Sequence, residues 1–208
     1  MYILQNNGGS VTGWMRRTLA GDYKNNALAI GDVTGDGLPD IVLGNSGDFS
    51  GLFPVRQNCV LVNNGGAPES WVSVALGASR SQEHTMAIAI RDVTGDGRPD
   101  ILTANRSSEN AGRQNYALIN NGGSPDGWPM VNLGGAMDDA TRCMAVEDLN
   151  GDGRPDVVFG NDGQYGGQNY VLLNNGGSPS SWTRYNLGSP LLDMTSSLAV
   201  GDVTGDGR

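Results

Sequence analysis

The 208 residues include 33 glycines and 9 prolines, a density of turns that long helices would not tolerate. Lys plus Arg number 13 against 22 for Asp plus Glu, a formal charge of -9 that leaves no basic stripe to follow a phosphate backbone and so excludes a nucleic-acid ligand. Hydrophobic residues at 38% against 17% charged supply a core rather than disorder, and no apolar run reaches the ~18 to 20 residues of a membrane span. The opening MYILQNNGGS has neither the basic region nor the apolar stretch of a signal peptide.

Along the chain, residues 2–19 predict two short strands around an Asn-Asn-Gly-Gly turn. Residues 27–76, 84–133 and 142–187 each predict four short strands separated by glycine-rich turns, and 197–208 predict one more strand with the start of its loop. In the second of these units the strands fall at Met86 to Val93, Asp100 to Ala104, Asn115 to Asn120 and Met130 to Leu133, each too short for a helix. The segments are copies of one another. LQNNGGS, LVNNGGA, LINNGGS and LLNNGGS start at Leu4, Leu61, Leu118 and Leu172, and each is followed by a tryptophan, Trp14, Trp71, Trp128 and Trp182. GDVTGDGLPD, RDVTGDGRPD, EDLNGDGRPD and GDVTGDGR place Asp32, Asp92, Asp148 and Asp202 at spacings of 60, 56 and 54 residues.

A four-stranded unit at this period predicts an all-β fold, a segment of a β-propeller with about 3.5 antiparallel blades. The first strand of each unit carries Ala29, Ala89, Ala145 or Ala199 on one face, and Leu28 and Ile30 or their counterparts on the other. That pattern suits an innermost strand lining a crowded axis. Because the chain starts and stops within a repeat, it reads as part of a larger ring, for example a seven-bladed one. The alternative is a small closed ring lacking one strand. An uncovered blade face or edge also predicts self-association.

The loop Asp-x-(Thr/Asn)-Gly-Asp-Gly-x-Pro-Asp sets side-chain oxygens at positions 1, 3, 5 and 9 and a carbonyl at position 7. An all-oxygen set suits calcium, whereas zinc prefers nitrogen and sulfur. Glycines at positions 4 and 6 allow the loop to wrap, and Pro39, Pro99 and Pro155 stiffen its exit. An EF-hand is excluded, because position 12 is Leu43, Thr103 or Phe159 rather than a bidentate glutamate and the flanks alternate as strands. The loops contain 11 of the 22 acidic residues, so without an ion their carboxylates repel one another.

DVTGDGLPDIVLGN, DVTGDGRPDILTAN and DLNGDGRPDVVFGN resemble the FG-GAP/VCBS repeats of integrin-α-type β-propellers, over essentially the whole chain. The resemblance implies Ca2+ bound by Asp32, Thr34, Asp36, the Leu38 carbonyl and Asp40. In the second loop it implies Asp92, Thr94, Asp96, the Arg98 carbonyl and Asp100, and in the third Asp148, Asn150, Asp152, the Arg154 carbonyl and Asp156. Asp202, Thr204 and Asp206 match the start of a fourth. Gly44-Asn45, Ala104-Asn105 and Gly160-Asn161 stand where the family has Gly-Ala-Pro, which argues for a microbial secreted or surface protein over an animal integrin subunit.

Other residues read more plainly. The tryptophans suit blade-to-blade packing better than sugar stacking, and the paired asparagines suit tight turns. His84, in an irregular segment, reads as a surface residue. Cys59 and Cys143 lie in non-neighbouring blades, so a disulfide between them is excluded by distance. No nucleophile or acid–base constellation is assignable.

The variable loops, on the face opposite the aspartate loops, are expected to meet a protein or carbohydrate ligand, with Arg80, Arg106, Arg113, Asp138, Asp139 and Tyr165 as candidate contacts. The expected role is a calcium-stabilised extracellular binding or adhesion module. A propeller part of a secreted polysaccharide-active enzyme, or a spacer, are the alternatives.

Overall fold

The computed structural model describes residues 2–6, 8, 10–19, 25–46, 57–77, 84–106, 113–135, 139–163, 167–189, 194–202, 204 and 205. These form one two-stranded and three four-stranded antiparallel sheets. The two-stranded sheet pairs β1 (Tyr2–Gln5) with β2 (Met15–Thr18). The first full blade runs β3 (Asn25–Gly31), β4 (Asp40–Asn45), β5 (Cys59–Val62) and β6 (Val72–Ala75). The second runs β7 (His84–Arg91), β8 (Asp100–Arg106), β9 (Tyr116–Leu118) and β10 (Met130–Asn132). The third runs β11 (Thr141–Glu147), β12 (Asp156–Asn161), β13 (Tyr170–Leu173) and β14 (Thr183–Asn186). Strands pair in chain order within every blade. The fold is therefore an all-β assembly of β-propeller blades.

Register explains the alternation in the sequence. Ala29, Val42, Val60 and Val74 lie opposite one another across the first blade, as do Ile30, Ile41, Leu61 and Ser73. Opposed residues in an antiparallel sheet share a face, so the first blade has one small-and-valine face and one larger-residue face. One core cluster joins Val33, Val42, Val60 and Leu76 to Ile101, Tyr116, Leu118 and Trp128, with Ile88 and Ile90 packed against it. The next joins Val93, Leu102, Ala104 and Ala117 to Phe159, Tyr170, Leu172 and Trp182, with Ala87 and Ala89 packed against it. The inner strand β7 thus turns isoleucines to the preceding blade and alanines to the following one. The inner strand β7 lies close to both β3 and β11, while β6 and β10 meet the next blade chiefly at its short turn, the fan of sheets about an axis.

Close approach at the inner strands dictates the glycines. A Cβ on Gly44 would lie 2.7 Å from Thr85 Cγ2 and 2.9 Å from Ile88 Cδ1, and one on Gly160 would lie 2.4 Å from the Cys143 sulfur and 2.7 Å from Thr195 Cγ2. On the first blade, the larger-residue face of β3 is open, with Leu28 57% and Ile30 63% exposed.

The strand limits move by a few residues from those predicted. The chief change is that β7 begins at His84 rather than Met86, so His84 is buried and paired across the sheet with Arg106. That corrects its reading as a surface residue. Burial, then the Arg106 charge, lowers its pKa to about 4. Short 3-10 turns at Pro68–Ser70, Pro125–Gly127 and Pro179–Ser181 were not predicted. Each starts on proline, which is pre-set for a first turn, and delivers the following tryptophan. Trp128 and Trp182 are buried in the clusters above, and Trp71 packs against Ile41, Leu43, Cys59 and Leu61, so these three are packing residues. Both cysteines are free thiols.

Candidate metal centre

The aspartate loops join the first two strands of each blade, at the same end as the Asn-Asn-Gly-Gly turns between the third and fourth strands. The first aspartate organises its loop by collecting main-chain N–H groups. Asp32 Oδ1 accepts from Gly35 at 2.7 Å and Asp36 at 3.2 Å, and Oδ2 accepts from Gly37 at 2.8 Å. Gly95 and Gly97 close the same ring on Asp92, and Gly151, Asp152 and Gly153 on Asp148. The wrap needs φ of +79° at Gly35 and +86° at Gly37, which side-chain-bearing residues rarely adopt. Burial pushes the Asp92 carboxyl up, but the N–H groups of Gly97, Gly95 and Asp96 and the Thr94 hydroxyl outweigh it, and the net pKa is lowered. Asp148 is lowered by the Gly153 N–H first, then by those of Gly151, Asp152 and Asn150. The fourth loop shares the glycine bond, Asp202 Oδ1 accepting from Gly205 at 2.6 Å and also from Thr204 at 3.2 Å; Asp206 lies outside the described residues.

The ninth-position aspartates are fully buried. Asp40 Oδ2 accepts from Val33 at 3.0 Å and Thr34 at 3.2 Å, and its Oδ1 from Asn63 at 2.9 Å. Asp100 accepts from Val93 at 3.0 Å and Asn120 at 2.8 Å, and Asp156 from Leu149 at 3.0 Å and Asn174 at 2.7 Å. Each therefore ties its loop to the Asn-Asn-Gly-Gly turn of its own blade. The first asparagine of that turn reaches further. Its Oδ1 accepts the expected N–H two residues on, Gly122 to Asn120 at 2.9 Å. Its Nδ2 donates to the preceding blade's loop, Asn120 to the Val33 carbonyl and Asn174 to the Val93 carbonyl, both at 3.0 Å. Sequence reasoning saw the turn and missed this link.

The fifth-position carboxylates point to position 7. Asp36, Asp96 and Asp152 each accept the N–H of Leu38, Arg98 or Arg154 at 2.9 Å. Asp96 is also ion-paired with the Arg98 guanidinium, and Asp152 with that of Arg154 at 2.5 Å. Among the described residues, then, the carboxylates of a loop are not drawn into one ligand cluster. They do sense one another. Burial first, then the charges of Asp96 and Asp92, raises the Asp100 pKa against the pull of the Asn120 and Val93 N–H groups. The donors are carboxylate, hydroxyl, amide and carbonyl oxygens, and a carboxylate oxygen with one hydrogen bond keeps a second acceptor position. This chemistry fits a hard divalent cation.

The opposite end of the blades carries the candidate ligand contacts. Arg106 and Arg113 lie there half-buried. Asp139 is 7% exposed, paired with Arg184 at 3.2 Å and bridged main chain to main chain with Arg113. It locks the junction of the second and third blades, where Arg184 also stacks 3.8 Å from the Tyr170 ring. Arg80, Asp138 and Tyr165 lie outside the described residues. No helix among the described residues is long and apolar enough to cross a membrane.

No curated protein matches the chain. Among protein families, the FG-GAP-like repeat matches residues 92–159 and 148–208, and the FG-GAP repeat matches residues 25–58. Repeats of that description, falling on the blades and loops just described, place the chain in the FG-GAP repeat family.

Proposed function

We propose that the chain is a calcium-stabilised β-propeller module that binds a protein or glycan ligand outside the cytoplasm through the loops opposite the aspartate loops. The observation that supports it best is the repeated loop that sets a buried carboxylate beside two others, as at Asp100, whose pKa burial first and then the charges of Asp96 and Asp92 raise. A divalent ion relieves that repulsion and joins strands one and two of a blade at their turn. The all-oxygen donor set and the repetition at Asp32, Asp92, Asp148 and Asp202 point the same way. Loops of this weak type match extracellular calcium, with dissociation constants of ~10⁻⁴ to 10⁻³ M. The ion's role is structural, holding the blade while the variable loops make the contacts.

A thermal melt of the 208-residue chain tests this. At calcium about ten to a hundred times the dissociation constant, each occupied loop contributes about 1.4 to 2.7 kcal/mol. The melting temperature therefore rises on addition of calcium chloride and falls again with chelator. An unchanged melt in millimolar calcium refutes the reading. Ligand class is read from a glycan array and from cell-surface binding, each with calcium and with chelator.

A further inference from the structure

We infer that the residue at position 7 of each aspartate loop sets its affinity for a divalent ion, with Arg98 and Arg154 acting as tethered counter-cations and Leu38 leaving its loop open. The inference rests on the calcium reading above and deepens it. The three loops become a graded series rather than three equal sites.

The chain contains its own controlled comparison. Positions 1 to 9 of the first loop read DVTGDGLPD and those of the second DVTGDGRPD, identical except at Leu38 and Arg98. Around that difference the local geometry is conserved. Gly35 and Gly95 both donate to the first aspartate at 2.7 Å, Gly37 and Gly97 at 2.8 Å, and the position 7 N–H to the fifth-position Oδ1 at 2.9 Å. The difference that follows from position 7 lies at the fifth-position Oδ2. In the second loop Asp96 Oδ2 is held by the Arg98 guanidinium. In the first loop Leu38 turns its methyl toward Gly65, Cδ1 standing 3.6 Å from where a Cβ would be. Among the described residues no cationic side chain is paired with Asp36.

The arginine pose is built rather than incidental. Arg98 Nε donates to the Asn120 carbonyl at 2.8 Å and Arg154 Nε to the Asn174 carbonyl at 2.9 Å. Each stem passes over the turn glycine, its Cδ 3.8 Å from the Cβ position of Gly122 or Gly176. The same fork, one arm on the loop carboxylate and one on the adjacent turn, thus recurs in two blades. A guanidinium keeps its charge at every relevant pH and holds a planar pose at low entropic cost.

Two consequences follow. A metal entering the second or third loop meets a fixed positive charge on one of its carboxylates. At about 6 Å in a water-like dielectric, repulsion between a unit charge and a divalent ion weakens binding about tenfold. In the absence of metal, the same charge neutralises Asp96 or Asp152, so those loops hold their shape while the first depends more on an ion. Calcium then fills the Leu38 loop first.

The test follows the amide signals of Gly37, Gly97 and Gly153 by two-dimensional NMR of the 208-residue chain during a calcium chloride titration. Each amide reports its own loop. The expected result is a midpoint for Gly37 about tenfold below that for Gly97. Arg98→Leu moves the Gly97 midpoint down to that of Gly37 and leaves Gly37 in place; Leu38→Arg moves Gly37 up. Arg98→Lys, which retains the charge, stays close to wild type and guards against a folding defect in the leucine variant. Equal midpoints for Gly37 and Gly97, with Arg98→Leu inert, overturn the inference while leaving calcium binding intact. If no loop signal moves up to about 10 mM calcium, in wild type or variants, the calcium reading itself has failed.

Discussion

Replacing Asn115 by alanine isolates what holds one blade to the next besides apolar contact. Asn115 is 1% exposed, at the entry to β9. Its Oδ1 accepts the buried Asn105 N–H at 2.7 Å, and its Nδ2 donates across the junction to the Thr141 hydroxyl at 2.8 Å. Truncation strands the Asn105 N–H, which costs about 1 to 3 kcal/mol, and loses the bond to Thr141, worth about 1 kcal/mol more. The expected loss is about 3 kcal/mol, or about 10 °C in melting temperature for a chain of this size.

The same clamp recurs as Asn58 to Thr85 and Asn169 to Thr195, both 2.8 Å but only part-buried, so alanine at Asn58 or Asn169 costs less. Urea denaturation followed by circular dichroism measures all three. A double-mutant cycle with Thr141→Val, which removes only the hydroxyl, yields a coupling of about 1 kcal/mol if the two side chains interact directly. The reasoning fails if Asn115→Ala costs under about 1 kcal/mol, or if Asn169→Ala costs more than Asn115→Ala.

His84 makes stability depend on acidity. Its pKa is about 4 in the fold against 6.5 ordinarily, so between those values the unfolded chain binds the extra proton and stability falls as pH drops, by about 3 kcal/mol over the window. Comparing wild type with His84→Gln from pH 7 to pH 4 subtracts the carboxylates common to both; parallel curves refute the assignment. Gly44→Ala drives a methyl to 2.7 Å from Thr85 Cγ2 and 2.9 Å from Ile88 Cδ1, and overpacking of this kind costs about 1 to 3 kcal/mol. A denaturation midpoint unchanged from wild type would show that this junction is loose. The second blade has Ala104 at the equivalent place, in a cluster against which Met144, a flexible side chain, packs.

What the sequence made legible was whatever repeats locally. The period, the strand alternation and the aspartate loops recur within a few residues of fixed landmarks, and each recurs with its own local cause: pleat, turn glycine or proline. The readings that needed correction depend on distant partners. His84 sits in a stretch of mixed polarity, and only its pairing with Arg106, 22 residues on, buries it. The asparagine turns gave away their Asx geometry, because that bond spans two residues. Their reach to Val33 and Val93 spans 87 and 81 residues and leaves no periodic trace. Asp139 lay among variable loop residues, and its burial follows from Arg184 in the fourth strand of the next blade.

The ninth-position aspartates show why loop motifs alone mislead about role. Read linearly, Asp40, Asp100 and Asp156 are the last of a set of similar carboxylates. In the fold they are the buried ones, with two or three main-chain N–H groups each, and the members exposed in every loop are at positions 3 and 5, Asp32 and Asp92 being half-buried. A group that is already satisfied by N–H donors gives rigidity to the loop whether or not an ion is present. The proposed response to a cation is therefore expected at the fifth position, the carboxylate that an arginine holds in two loops and not in the first. The blade frame is thus common to all three repeats, and the residue beside the fifth-position carboxylate is where one repeat can be tuned without disturbing its neighbours. Because Asn120 and Asn174 donate to the second carbonyl of the preceding blade's loop, that frame is continuous across both junctions, and a change at Arg98 or Arg154 removes from it only the guanidinium's bond to the Asn120 or Asn174 carbonyl.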